Sequence, residues 1–302
     1  MKYRYILFVV LLLLLFLPLM ATGNAESMKK PTPIVVASIL PQQYFIDRIG
    51  GTAIESAVLV GVGQSPHSYE PTPKQMTALA QADAWIISRT DFENQLVPKV
   101  KALYPGLKIV DGTEGVTFRL LVEDHEHDDN EDDHHDEIEF DKHTWLGRES
   151  VKILAHHIKE TLIGISEENT RLFNENYQKL ITEIDEAYDE LQDTLLPLAG
   201  KTVFVYHPSF GYLFDDLQIH QRAVETGGKE PTPKTLTELI ELAKTEQPPV
   251  IFVQSQFPAA AAEKVAQAVN ATVIPLDPLA YDWLENIKLI GSVLHDYVEK
   301  IK

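Results

Sequence analysis

Short apolar runs alternate with amphipathic stretches along most of the chain. Ile34–Ile39 (IVVASI) and residues 57–60, 84–88 and 107–110 have the length and branched-residue content of buried strands. A second series follows at residues 202–206 (TVFVY), Val250–Val253 and residues 272–276. Helical spacing of apolar positions occupies residues 42–49, 74–82, 151–162 and 233–244, and Ala259–Val269. Strand–helix alternation of this kind predicts an α/β fold: two similar lobes, each a parallel sheet with helices on its faces.

Between the two series lie some thirty residues, 167–196, with no glycine. Leu172, Tyr177, Leu180, Ile181, Ile184, Tyr188 and Leu191 recur there at helical intervals. Ser166 is a candidate N-cap, and Pro197 and Gly200 are stop signals. One continuous helix of that length spans about 45 Å and makes a stiff connector between the lobes. The expected organisation is a leader over 1–25, a first lobe over 26–165, the connecting helix over 166–197, and a second lobe over 198–302. Glu70-Pro71-Thr72-Pro73-Lys74 recurs as Glu230-Pro231-Thr232-Pro233-Lys234. Duplication and convergence on a good helix start both account for the echo, since proline at the first helical turn sacrifices no needed N–H.

The N-terminus changes the picture of where the protein works. Lys2 and Arg4 precede an almost wholly apolar run over 6–19, followed by the small residues Ala21, Gly23 and Ala25. That is the pattern of a secretory signal peptide, the apolar run being shorter than the ~20 residues of a spanning helix. No other segment is apolar enough to span, so the rest reads as soluble and periplasmic. The 302 residues contain 26 basic and 45 acidic side chains and no cysteine. The net charge of −19 argues against nucleic acid and for cations. Without cysteine there are no disulfides, thiolate metal sites or lipid-bearing N-terminal cysteine, so the expected protein has no lipid anchor.

Histidine is the remaining chemistry. Residues 123–141 hold twelve carboxylates, no lysine or arginine, and His125, His127, His134 and His135. This reads as a surface loop that collects metal weakly, because flexible ligands lose entropy on binding. His67 lies in Pro66-His67-Ser68-Tyr69-Glu70-Pro71, after the strand at 57–60, and His207 directly follows TVFVY in His207-Pro208-Ser209-Phe210-Gly211-Tyr212. Both are at the carboxyl ends of predicted parallel strands, where open α/β sheets bind ligands. His143, in His143-Thr144-Trp145-Leu146, opens the segment after the acidic run. His156 and His157 read as helix surface, and His220 and His295 have no supporting context.

Together with Leu276-Asp277-Pro278-Leu279-Ala280-Tyr281-Asp282-Trp283, these motifs make the chain resemble, over nearly its whole length, the cluster A-I solute-binding proteins of ABC metal transporters, in the zinc-uptake (ZnuA-like) branch. The resemblance implies two α/β lobes joined by a long rigid helix, with metal in the cleft between them. It places metal ligands at His67, His143 and His207, and a fourth at Asp282 or, as a weaker alternative, Asp277; water completes the site if neither reaches. It further implies a periplasmic, monomeric carrier of Zn²⁺ that delivers to an ABC permease in the inner membrane and is not an enzyme. Three imidazoles and an oxygen suit four-coordinate zinc better than Mn²⁺, which prefers more oxygen ligands. The alternatives are a manganese or other divalent-metal carrier of the same type, a metal-binding adhesin, and a zinc hydrolase. The last lacks HExxH, a GxSxG elbow and any evident general base.

Overall fold

The computed structural model describes residues 32–121, 140–224, 232–257 and 259–300. The expected leader and the acidic-run histidines His125, His127, His134 and His135 lie outside the described residues. The first sheet is built from β1 (Ile34–Ile39), β2 (Glu55–Val60), β3 (Ala84–Ile87) and β4 (Lys108–Asp111), in the order β2-β1-β3-β4 and entirely parallel. α1 (Leu40–Gly50), α2 (Pro73–Gln81) and α3 (Asp91–Leu103) carry the chain between these strands. After β4 and the acidic run comes α4 (Arg148–Ile165), then the long helix α5 (Thr170–Leu195).

The second sheet repeats the plan with β5 (Thr202–Val205), β6 (His220–Ala223), β7 (Val250–Val253) and β8 (Thr272–Pro275), ordered β6-β5-β7-β8 and again parallel. Its helices are α6 (Gly211–Asp216), α7 (Pro233–Glu246), α8 (Ala259–Val269) and α9 (Trp283–Lys300). Each sheet therefore has its first strand flanked by the second and third, which creates the crevice at the strand ends where such sheets bind ligands. The sequence echo marks equivalent places: Pro73 and Pro233 each begin the helix that precedes the third strand of a sheet. At the first copy, Thr72 Oγ1 accepts the Gln75 N–H while Gln75 Oε1 accepts the Thr72 N–H, a reciprocal cap.

The connector is shorter than the periodicity suggests. α5 has 26 residues, about 39 Å, and is bracketed by 3-10 turns at Glu167–Asn169 and Leu196–Leu198. Ser166 does not cap it; Ser166 is buried at the end of α4, where its hydroxyl accepts from Asn169 Nδ2 at 2.8 Å. Pro197 sits in the terminal turn, and Gly200 follows at φ 72°, a left-handed geometry that glycine adopts without strain.

The face of α5 carrying Phe173, Leu180, Ile184, Tyr188 and Leu191 is buried against α1, α4 and α9. α9 is decisive for the architecture. Although it follows the second sheet in sequence, it runs back along α5, and its Trp283 ring lies 5.1 Å from Phe45 of α1 and stacks on Tyr188. One continuous core thus unites the first sheet, the connector and one face of the second sheet. A smaller core, including Phe204, Tyr206, Ile251, Val253 and Val265, covers the opposite face of the second sheet. Among the described residues no helix is long and apolar enough to cross a membrane.

Candidate metal centre

His67 occupies the loop after β2, His207 follows β5, and His143 precedes the 3-10 turn Thr144–Leu146. The structure brings these three imidazoles together from both halves of the molecule. His207 Nε2 lies 3.0 Å from His67 Nε2 and 3.2 Å from His143 Nε2. Two nitrogens bound to one tetrahedral zinc at 2.0–2.1 Å stand about 3.3 Å apart, so the spacing matches a shared ion. His143 and His207 are buried and His67 is partly so. Trp145 and Phe257 wall the cluster, with ring centroids 5.3 Å from His143 and 4.8 Å from His207 respectively.

The first two histidines are held by carboxylates. His67 Nδ1 pairs with Asp91 Oδ2 at 2.6 Å, and the other oxygen of Asp91 holds the Lys142 ammonium. His143 Nδ1 pairs with Asp141 Oδ1 at 2.7 Å, which also accepts the His143 backbone N–H. Arg119 donates to Asp141 Oδ2 at 2.9 Å. A proton held on each Nδ1 leaves the Nε2 lone pair for metal, and the carboxylate makes that nitrogen a stronger donor. Asp91 is held far below the ordinary carboxylate range, first by the His67 hydrogen bond and then by Lys142. Burial would raise the Asp141 carboxyl, but His143 and Arg119 overcome it and the net shift is downward.

His207 is framed through its backbone. Gln254, fully buried at the end of β7, accepts the His207 N–H at 3.0 Å and donates to the His207 carbonyl at 2.6 Å and to Ser209 Oγ at 3.0 Å. Burial, followed by the charges of His143 and His67, depresses the His207 imidazole well below its usual 6.5. It is therefore neutral, as a metal ligand must be.

Among the described residues the gathered group consists of the three imidazoles, and Asp282 is not part of it. It is exposed at the start of α9, where Oδ1 accepts the Glu285 N–H at 3.5 Å and its carbonyl accepts the Asn286 N–H. A helix begins at this point, and the side chain serves the helix end instead of the cleft. Asp277 is likewise engaged elsewhere, accepting from Gln256 Nε2 at 2.7 Å and the Leu279 N–H at 2.9 Å. Asp141 also departs from expectation. Read as the last member of a solvated acidic run, it is 1% exposed and inside the site. A small cavity of about 30 Å³ opens beside the histidines, lined in part by Pro66, Leu121, Phe140 and Trp145.

Asp91, Lys142, Arg119 and Gln254 carry no signal in the sequence, because each reaches its histidine from a distant position or through another side chain. Asp141, two residues before His143, was the one support whose spacing offered a signal. His156 and the Nε2 of His157 remain on the outer face of α4, the latter against the Glu114 carbonyl.

The profile of the family described as "Zinc-uptake complex component A periplasmic" matches residues 35–297, and this chain belongs to that family. A crystal structure of ZnuA is similar, with 31% identity, a TM-score of 0.79, and coverage of 88% of this chain and 98% of that one. The high-affinity zinc uptake system protein ZnuA of Yersinia pestis is 24% identical over 89% of this chain and 91% of its own length. The zinc-binding lipoprotein AdcA of Streptococcus pneumoniae is 26% identical over 81% of this chain, which spans 50% of that longer protein. The site chemistry and the family agree on zinc as the ligand, and the family is one of solute-binding transport components.

Proposed function

We propose that this chain captures Zn²⁺ in the periplasm with His67, His143 and His207 and delivers it to the permease of an ABC importer. The convergence of three Nε2 atoms, two of them backed by buried or half-buried carboxylates, carries this reading. A solvent molecule in the adjoining cavity completes the tetrahedron in place of Asp282 or Asp277. Residues 1–25 serve as the export leader.

The design suits a carrier better than a catalyst. Asp91 and Asp141 each have one oxygen on an imidazole and the other on a cation, so neither is available as a general base for a zinc-bound water. Because the ligands come from both halves, a small shear between them is enough to break the coordination set. Trp145 and Trp283 limit its size: Trp145 Nε1 donates to the Pro278 carbonyl at 2.7 Å, and Trp283 Nε1 to the Trp145 carbonyl at 2.8 Å. His125, His127, His134 and His135 collect zinc weakly for transfer to the cleft.

Zinc titration with chelator competition tests this division. The expected result is one tight equivalent in the wild type, lost in His143→Ala by at least about 100-fold in affinity. Deletion of residues 123–139, stopping short of Phe140 and Asp141, removes weak equivalents and keeps the tight one. Unchanged tight binding in His143→Ala overturns the site assignment.

A further inference from the structure

The two lobes are joined near the metal by a second device that ligand geometry alone does not require. Arg119 follows β4 and sits where Leu120 bridges Phe140 in antiparallel fashion, at the base of the acidic run. Its guanidinium has two arms. One reaches Asp141 Oδ2 at 2.9 Å, the carboxylate that orients His143. The other reaches Asp215 on α6, with Nε to Oδ2 at 2.8 Å. α6 begins four residues after His207, so it moves with the third ligand. The Tyr212 hydroxyl doubles the connection: it accepts the Arg119 N–H at 3.2 Å and donates to the Asp141 carbonyl at 2.9 Å. Gly211 is shaped around this contact, since a Cβ there would fall inside the Arg119 guanidinium.

The arms differ in strength. Asp141 is wholly buried, whereas the Asp215 side chain is 56% exposed. A buried, charge-assisted pair is costly to break, and an exposed pair exchanges readily with water. The weak arm is therefore the one that opens, leaving Arg119 and Asp141 together on the first lobe.

We propose that Arg119 is an interlobe latch, a positioning residue that ties the orienter of His143 to the helix following His207 and so slows zinc release. This rests on the transport reading above. The latch contributes nothing to coordination itself; it holds the two ligand groups at the separation a single ion needs. Acidic or cationic groups of a docking partner that compete for Arg119 or Asp215 then loosen the site without touching a histidine.

The test measures zinc dissociation into excess chelator, zinc affinity, and the thermal midpoint of the metal-free protein for Gly211→Ala, Asp215→Asn and Tyr212→Phe. Gly211→Ala keeps every latch group but crowds the buried arm, its Cβ falling on Arg119 Nη1 and against Asp141 Oδ2, and is expected to speed release about tenfold. Asp215→Asn and Tyr212→Phe are expected to speed it about threefold each, with midpoints close to wild type. Combining Gly211→Ala with Asp215→Asn disturbs both arms, and because the arms share one guanidinium the double variant is expected to accelerate release by less than the product of the single effects. Release at the wild-type rate in Gly211→Ala and Asp215→Asn overturns the latch, as does acceleration matched by a proportionate fall in thermal midpoint. If wild type itself lacks a tight zinc equivalent, the transport reading fails instead, so the two failures are distinguishable.

Discussion

The two halves of the molecule share a sheet order yet hold their histidines by different means. The first half supplies His67 and His143, each backed through Nδ1 by a carboxylate that is itself tied to a cation. The second half supplies His207, set by an amide frame from Gln254 and pressed against Phe257. Charge raises the donor strength of the first pair, whereas burial keeps the third imidazole neutral. Repeating a fold therefore repeats the place where a ligand can stand, not the environment that tunes it.

The largest effect that can break this contrast comes from its charged side. Asp141→Asn keeps the shape but weakens the hold on His143 and leaves Arg119 with a neutral partner. Zinc affinity, read by chelator competition, is expected to fall about 10- to 100-fold. Gln254→Ala acts on backbone position, and its loss of affinity is expected to be smaller than that of Asp141→Asn. The reverse order would show that framing matters more than charge.

Acid sharpens the comparison next. The His207 pKa is depressed in the folded state, so below its ordinary 6.5 the unfolded chain binds more protons and metal-free stability falls with pH. The slope is at most about 1.4 kcal/mol per pH unit for this one group. Asp91 and Asp141 are shifted downward from 3.8, so their contribution is present above that value and is lost only at lower pH. Burial pushes the Glu93 carboxyl up to about 7, which works in the opposite direction over the same range, so His207 is read from the difference in thermal midpoint between chelated wild type and His207→Gln from about pH 6.5 to pH 4.5. Wild-type stability should fall relative to His207→Gln as the pH drops across that window; parallel curves would refute the assignment.

The smallest expected effect settles the fourth ligand. Asp282→Ala removes a helix-end contact on the surface and should cost no more than about 1 kcal/mol of stability. Its zinc affinity should equal that of wild type. A tenfold loss would return Asp282 to the coordination sphere.

Much of this was legible along the chain because it is local. All seven foreseen strands lie within two residues of their predicted bounds; the strands Ile34–Ile39 and Val250–Val253 and the helix Ala259–Val269 match outright. The missed elements have local explanations. β6 (His220–Ala223) is polar and only partly buried, and α6 has just six residues, too few to display a period. α9 has good periodicity, with Trp283, Ile287, Ile290 and Leu294 buried, and begins inside the motif that ends at Trp283.

Hydrophobic period and turn chemistry thus determined, from sequence alone, two parallel α/β sheets, a long connector and the three imidazoles at strand ends or segment starts. These depend on residues a few positions apart, and the backbone satisfies them wherever the chain goes. Tertiary structure alone decided what surrounds the imidazoles. Asp91 meets His67 across 24 residues, Gln254 meets His207 across 47, and Arg119 meets Asp215 across 96. It also turned Asp141 from one acid among twelve into a buried support and left Asp282 at a helix end. A carboxylate carries no mark in sequence of whether it will face water or an imidazole; packing of distant elements makes that choice, through the cost of burying a charge without a partner.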